Sequence, residues 1–116
     1  MIQGDPLLRK RSDELEAREL RAYLRAIGDL ARLQILRRLA QNEEMGVTEL
    51  AQALRVSQPL LSFHLGVLRR NHLVSVRKEG RSVFYSLNRP ALRAFGQRFD
   101  AWLEGTPGNA GGKEGA

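Results

Sequence analysis

Basic side chains are concentrated in the middle of this 116-residue sequence, where they could neutralise a polyanion. The net charge of +6 arises within residues 31–90, because residues 1–30 and 91–116 each sum to zero. Between positions 55 and 81, six cations accompany a single acid, Glu79. A patch of this density indicates a nucleic-acid partner, although a solubilising surface would have the same composition. The six cations are Arg55, Arg69, Arg70, Arg77, Lys78 and Arg81.

Other chemistries have little support in the sequence. No cysteine is present, which excludes disulfides, thiolate metal sites and thiol nucleophiles. No nucleophile–base pair or phosphate-binding loop is visible, so we expect no enzyme activity and no cofactor. Asp100 and Glu104 lie one helical turn apart and could bind a hard cation, but a solvated face is the simpler interpretation. The single thioether of Met45 does not make a site, and we expect no metal centre.

Apolar spacing and turn residues predict the elements that position the cations. Helices are expected over about 13–27, 29–41, 48–54, 57–70 and from Asn88 onward, with Asp29, Thr48, Ser57 and Asn88 as caps. The second helix is expected to bury Leu33 with its neighbours. Residues 73–78 and 81–87 alternate as two strands around a Glu79–Gly80 turn. The predicted fold class is α+β, mostly α, in one domain over 13–104.

The third and fourth helices form a helix-turn-helix pattern. A leucine stripe would hold the fourth helix on the core and leave Gln58, Ser62, Phe63 and Arg69 outward, where they would fit the major groove. The three cations near the hairpin tip would suit phosphates or a minor groove, or would simply protect an edge hairpin from aggregation.

These segments resemble the ArsR/SmtB family of bacterial transcriptional repressors over about 20–88. The resemblance rests on Gly28–Asp29 with Arg32, Ser57–Gln58–Pro59, Ser62-x-His64–Leu65 and Gly80–Arg81 with Tyr85. It implies a winged helix-turn-helix homodimer that binds a double-stranded DNA operator and responds to a signal.

The DNA-binding candidates combine the outward helix face with the hairpin tip. For His64 we favour a half-buried histidine with a local hydrogen bond over a base contact, and His72 is expected to be a turn residue. The full candidate set is Thr48, Ser57, Gln58, Pro59, Ser62, Phe63, His64, Arg69, Arg70, Arg77, Lys78 and Arg81.

The resemblance also implies pairing of two chains through the first and last helices. A two-fold axis would then require a pseudo-palindromic operator. The large apolar face of the last helix supports this interpretation. The candidates are Leu20, Leu24, Ile27, Leu92, Phe95, Phe99, Trp102 and Leu103.

Departures from the family leave the signal open. Many metal-sensing members carry Cys-Val-Cys at the start of the third helix, whereas this chain has Gly46–Val47–Thr48. The effector, the operator sequence and the sign of regulation are not determined. A winged-helix protein–protein module without DNA binding is the alternative function.

The ends of the sequence differ in composition from the predicted domain. We expect residues 1–12 to form a flexible segment and the Gly-rich residues 105–116 to form a disordered tail. No secretory signal and no membrane span is recognisable, so a cytoplasmic location is expected.

Overall fold

The computed structural model describes residues 6–105 and shows an α+β fold in which helices dominate, as predicted. The elements follow one another as α1 (Pro6–Ile27), α2 (Leu30–Ala40), β1 (Met45–Gly46), α3 (Val47–Leu54), α4 (Gln58–Arg70), β2 (Val74–Glu79), β3 (Ser82–Leu87) and α5 (Arg89–Leu103). No helix within residues 6–105 is both long enough and apolar enough to cross a membrane.

Three predicted caps define where helices begin. Asp29 accepts a hydrogen bond from the backbone N–H of Arg32 at 3.2 Å and starts α2. Ser57 caps α4 in the same way through the N–H of Leu60, at 3.2 Å. The side chain of Asn88 accepts from the N–H of Ala91 at 3.3 Å and starts α5. Each cap satisfies a donor that the first turn of a helix leaves without a partner.

The start of α3 differs from the prediction. Thr48 lies inside the helix, which begins at Val47 with Gly46 as its N-cap residue. Glu49 instead accepts a hydrogen bond from the N–H of Gly46 at 3.4 Å. The hydroxyl of Thr48 is therefore available for another partner.

The start of α1 also differs from the prediction. Residues 6–12 are helical, because α1 begins at Pro6, whose missing N–H costs nothing in a first turn. Of the expected flexible segment, residues 1–5 lie outside the described residues. The same holds for residues 106–116 of the expected glycine-rich tail.

Leucines from the three helices α2, α3 and α4 form the core that holds α4. Leu39, Leu50, Leu61 and Leu68 are fully buried, and Leu65 is 1% exposed. Burial of each such side chain stabilises the fold by roughly 1.5–3 kcal/mol, which holds α4 firmly against the body. The expectation for Leu33 was wrong, since it is 46% exposed, whereas Ile35, Leu36 and Leu39 of the same predicted stripe are buried.

The sheet contains one strand more than the sequence predicted. The hairpin of β2 and β3, residues 74–87, is called the wing below. β1 adds to its β3 edge through Met45 opposite Tyr85, so the strand order is β1–β3–β2. Glu79 pairs with Ser82, which moves the two-residue turn to Gly80–Arg81. Gly80 has a φ of 61°, as such a turn requires, and Arg81 therefore lies at the tip.

Helices α1 and α5 pack together within one chain. Arg98 donates to Glu16 at 3.1 Å and to Glu19 at 2.6 Å. The Trp102 indole donates to Asp13 at 2.9 Å. These contacts join residues about 80 to 90 positions apart and fix α5 along the first helix.

Candidate nucleic-acid interface

The helix α4 separates a buried face from a polar outer face. Leu61, Leu65 and Leu68 point into the core, whereas Gln58, Ser62, Phe63, Arg69 and Arg70 are exposed. Phe63 is 58% exposed and adds an aromatic ring to this otherwise polar and basic face. The outer face therefore has the composition of a surface that contacts another molecule.

A groove of about 640 Å³ lies beside this face, between the beginnings of α3 and α4 and the strand β3. Its lining includes Thr48, Gln58 and Ser62 from the helices and Arg81 and Ser82 from the wing. The predicted helix residues and the tip cation thus lie around one concavity. Its hydroxyl, amide and guanidinium groups are the usual partners of bases and phosphates, and the rest of the lining includes Glu49 and the apolar and aromatic residues Val47, Val83, Phe84 and Tyr85.

Gln58 is held by the residue expected to cap α3. Its amide nitrogen donates to the Thr48 hydroxyl oxygen at 3.1 Å, and both side chains are exposed. The bond uses one of the two amide hydrogens. The carbonyl oxygen and the second hydrogen remain available for the edge of a base.

Arg77, one of the predicted DNA contacts, is paired with carboxylates in this structure. Its guanidinium donates to both oxygens of Glu44, at 3.2 and 2.5 Å, and to Glu79 at 2.7 Å. It also stacks over the Phe84 ring at 4.6 Å. The hydrogen bond from Arg77 lowers the pKa of Glu44, and the hydrogen bonds to Glu44 and Glu79 raise the pKa of Arg77. The Arg77 side chain thus anchors the wing to the segment before β1.

The other predicted cations have no such partner. Within residues 6–105, Arg69, Arg70, Lys78 and Arg81 are exposed and form no ion pair with a carboxylate. Their charge is therefore available to phosphates. Arg81 occupies the tip of the wing, and Arg69 and Arg70 end α4.

His64 lies on the buried face of α4 and is only 8% exposed, so its inclusion among the DNA contacts was wrong. Its Nδ1 is 2.9 Å from the Arg32 guanidinium and 3.9 Å from Asp29. Because 3.9 Å is too long for a hydrogen bond, Arg32 is the partner and His64 accepts as a neutral ring. The sequence predicted a half-buried histidine with a local hydrogen bond, whereas the ring is buried and its hydrogen-bond partner lies 32 positions earlier in the chain.

His72 is confirmed as a turn residue, because it has a φ of 62° directly after α4. Neither Arg32 nor Glu44 was among the predicted site residues. The sequence did offer one indication for Arg32, because it belongs to the Gly28–Asp29 motif on which the family resemblance rests. The sequence offered no indication for Glu44, because its partner Arg77 lies 33 positions later in the chain.

The candidate dimerisation residues differ in how deeply they are buried within their own chain. Leu20 is 2% exposed within its own chain, so it is a core residue and cannot contact a partner. Ile27 and Leu92 pack against the core. Phe95 stacks on Phe99 and tilts against Tyr23, at centroid distances of 5.9 and 5.6 Å. Leu24 and Leu103 remain 43% and 62% exposed.

Carboxylates and histidines do not converge in the described part of the chain. Among residues 6–105, no three His, Cys, Asp or Glu side chains lie close enough to hold a metal ion. Asp100 and Glu104 are both exposed at the end of α5.

The fold and the interface together define a winged helix-turn-helix DNA-binding protein. The model of the family described as "Bacterial regulatory protein, arsR family" matches residues 29–76. The chain is 39% identical over 93 residues to the transcriptional activator HlyU of Vibrio cholerae, covering 80% of this chain and 84% of that relative. The chain belongs to the ArsR family of transcriptional regulators and is a DNA-binding transcriptional regulator.

Two further relatives show the range of the family. The arsenical resistance operon repressor of Staphylococcus xylosus is 36% identical over 83 residues, covering 72% of this chain and 79% of the relative. The crystal structure of NolR from Sinorhizobium fredii superimposes with a TM-score of 0.65 at 30% identity, covering 92% of this chain and all of that one. Relatives with both signs of regulation are therefore similar to this chain.

Proposed function

We propose that this chain is a homodimeric repressor that binds a pseudo-palindromic operator through α4 and the wing. The observation that carries this proposal is the groove in which Gln58, Ser62 and Thr48 lie opposite Arg81, which forms no ion pair with a carboxylate of residues 6–105. A helix in the major groove reads bases with its outer side chains, while cations beside it contact the phosphates. The chain is assigned no catalytic role and acts in the cytoplasm.

Base recognition is assigned to the leading half of α4. Gln58 offers an amide edge that can bind adenine in two places, and Ser62, one turn later, can bind any base. Phe63 is exposed and apolar, so it can contact a thymine methyl group. These three residues give the interface its sequence preference.

Phosphate contacts are assigned to the groups around α4. The cations Arg69, Arg70, Lys78 and Arg81 have no carboxylate partner in residues 6–105. The N-terminus of α4 has a partial positive charge that favours an anion. The hydroxyl of Ser57 and the first turn at Pro59 lie there, and the hydroxyl of Thr48 on α3 contacts Gln58 at the same end. These contacts position the helix without reading sequence.

Dimerisation is assigned to the exposed apolar parts of α1 and α5. Leu24 and Leu103 are the most accessible of the predicted residues, and Phe99 and Trp102 are half-buried beside them. A second copy would cover these side chains and place the two α4 helices about 34 Å apart, one turn of DNA.

We propose repression rather than activation, because a protein can block a promoter by occupying it and needs only its DNA-binding surface to do so. Activation would require an additional surface for the transcription machinery. The effector is left unassigned, except that thiol-ligated metals are unsuitable for a chain without cysteine.

The test is to select bound fragments from the source genome, footprint them and place the best site before a reporter gene. We expect a two-fold-symmetric footprint and a reporter signal that falls when the protein is expressed. Fragments without a shared sequence would favour the protein–protein module instead. A reporter signal that rises would show an activator.

A further inference from the structure

The contact between Arg32 and His64 holds the buried face of α4, whereas the Gln58–Thr48 hydrogen bond joins α4 to α3 on its exposed face. The rest of its buried face consists of Leu61, Leu65 and Leu68, which make contacts without directional preference. In residues 6–105, the Arg32–His64 pair provides the side-chain hydrogen bond between this buried face and another helix. Directional bonds restrict the rotation of a helix in a way that leucine packing does not.

Arg32 also contacts the end of α1. Its Nε donates to the Ala26 carbonyl at 2.7 Å and its second terminal nitrogen donates to the Arg25 carbonyl at 3.4 Å. These carbonyls belong to the last turn of α1, where backbone acceptors lack helical partners. One planar guanidinium therefore joins the end of α1, the start of α2 and the middle of α4.

We propose that Arg32 and His64 are positioning residues that set the orientation of the DNA-reading helix α4 relative to α1. This inference rests on the proposed function, because α1 is the helix assigned to the dimer. In a dimer, the angle between α1 and α4 determines how the two reading helices are spaced. The pair thus determines discrimination between operators more than affinity for DNA in general.

The bond requires a neutral His64 ring with its hydrogen on Nε2, because Nδ1 must accept from Arg32. Glutamine at this position can still accept through its carbonyl oxygen. Leucine has a similar volume but cannot accept. His64→Gln and His64→Leu therefore form a matched pair that separates the hydrogen bond from the packing.

The experiment measures the affinity of the full chain for its selected operator, for a scrambled duplex, and for operators with half-sites moved by one or two base pairs. We expect His64→Leu to reduce the operator-to-scrambled affinity ratio at least tenfold and to flatten the spacing preference. His64→Gln should keep both within threefold. Affinity for the scrambled duplex should change little in either variant.

A double-mutant cycle tests whether the two residues act together. Lysine cannot reproduce the three-way contact of a guanidinium, so Arg32→Lys should reduce the operator-to-scrambled affinity ratio as His64→Leu does. The double variant should lose no more of this ratio than either single variant. The ¹⁵N shifts of the His64 ring should report the Nε2–H form. Thermal melting identifies variants that fail to fold. If a variant fails to fold, the ¹⁵N shifts of the His64 ring in the native protein test the contact, because an Nδ1–H ring would overturn the inference.

Three results would overturn the inference. They are an unchanged ratio and spacing preference in a folded His64→Leu variant, additive effects in the cycle, or an Nδ1–H ring. If the native protein itself prefers no operator, the proposed function fails instead, and the ring shifts still report on the contact.

Discussion

The α1–α5 pair and the region of α4 and the wing use their arginines differently. Arg98 on α5 is held by Glu16 and Glu19, and these hydrogen bonds raise its pKa. Arg81 on the wing has no carboxylate partner within residues 6–105. A paired cation fixes the fold, whereas an unpaired one can exchange its counterions for phosphates. Arg77 lies on the wing but is paired like Arg98, so position alone does not identify a DNA contact.

The largest expected effect concerns the exposed apolar residues of α1 and α5. Introducing Leu24→Asp together with Leu103→Asp should halve the mass in solution and weaken operator binding at least 100-fold, because linking two half-sites multiplies affinity about 10²- to 10⁴-fold. Sedimentation and fluorescence anisotropy measure the two results. Leu30→Asp is the control, since Leu30 is 71% exposed on α2. A native monomer at micromolar concentration would contradict the dimer.

A smaller effect is expected from the base-reading face. Gln58→Ala should cost about 1–3 kcal/mol at one base position of each half-site and leave affinity for a scrambled duplex unchanged. Selection from randomised operators shows which position loses its preference. Gln97→Ala, an exposed glutamine on α5, is the matched control. A uniform loss across all sequences would instead make Gln58 a phosphate contact.

The two arginines of the wing provide the sharpest test of the comparison. Arg81→Ala should reduce the slope of log affinity against log salt by about 0.9 per protomer, because one phosphate contact is lost. Arg77→Ala should leave that slope unchanged, since its charge is already neutralised by Glu44 and Glu79. Titrations between low and moderate salt measure both slopes. Equal reductions would mean that Arg77 exchanges its carboxylates for phosphates on binding.

A local effect is expected when acid weakens the attachment of the wing. The Arg77 hydrogen bond lowers the pKa of Glu44 from its ordinary value of 4.5, so Glu44 stabilises the folded state above that value. This contribution is lost as the pH falls through the lowered pKa. The protection factors of the β2 amides against hydrogen exchange, which are corrected for the intrinsic pH dependence of exchange, should therefore fall in acid, and Glu44→Gln should abolish this fall. Glu43→Gln is the control and should behave like the native chain.

The smallest expected effect concerns thiol-directed signals. Zinc, cadmium, arsenite and peroxide should each change operator affinity less than tenfold, which is about 1.4 kcal/mol, because no cysteine is present. Anisotropy with and without each agent checks this. A larger change with zinc or cadmium would direct attention to Asp100 and Glu104.

Local chemistry was sufficient to predict much of this protein from its sequence. Asp29, Ser57 and Asn88 cap their helices with partners three residues away. Alternation and Gly80 predicted the hairpin, although its register placed the turn one residue later than expected. These features depend on neighbours along the chain, so spacing and residue type carry the information.

Only the tertiary structure decided which charged and polar side chains have partners. Arg77, Lys78 and Arg81 are alike in a sequence, but Glu44 reaches Arg77 alone. His64 turned inward because Arg32, 32 positions earlier, supplies its donor. The pairing of β1 with β3 and the burial of Leu20 likewise join distant segments. Such contacts depend on how the elements pack, and residue spacing within one element does not report that geometry.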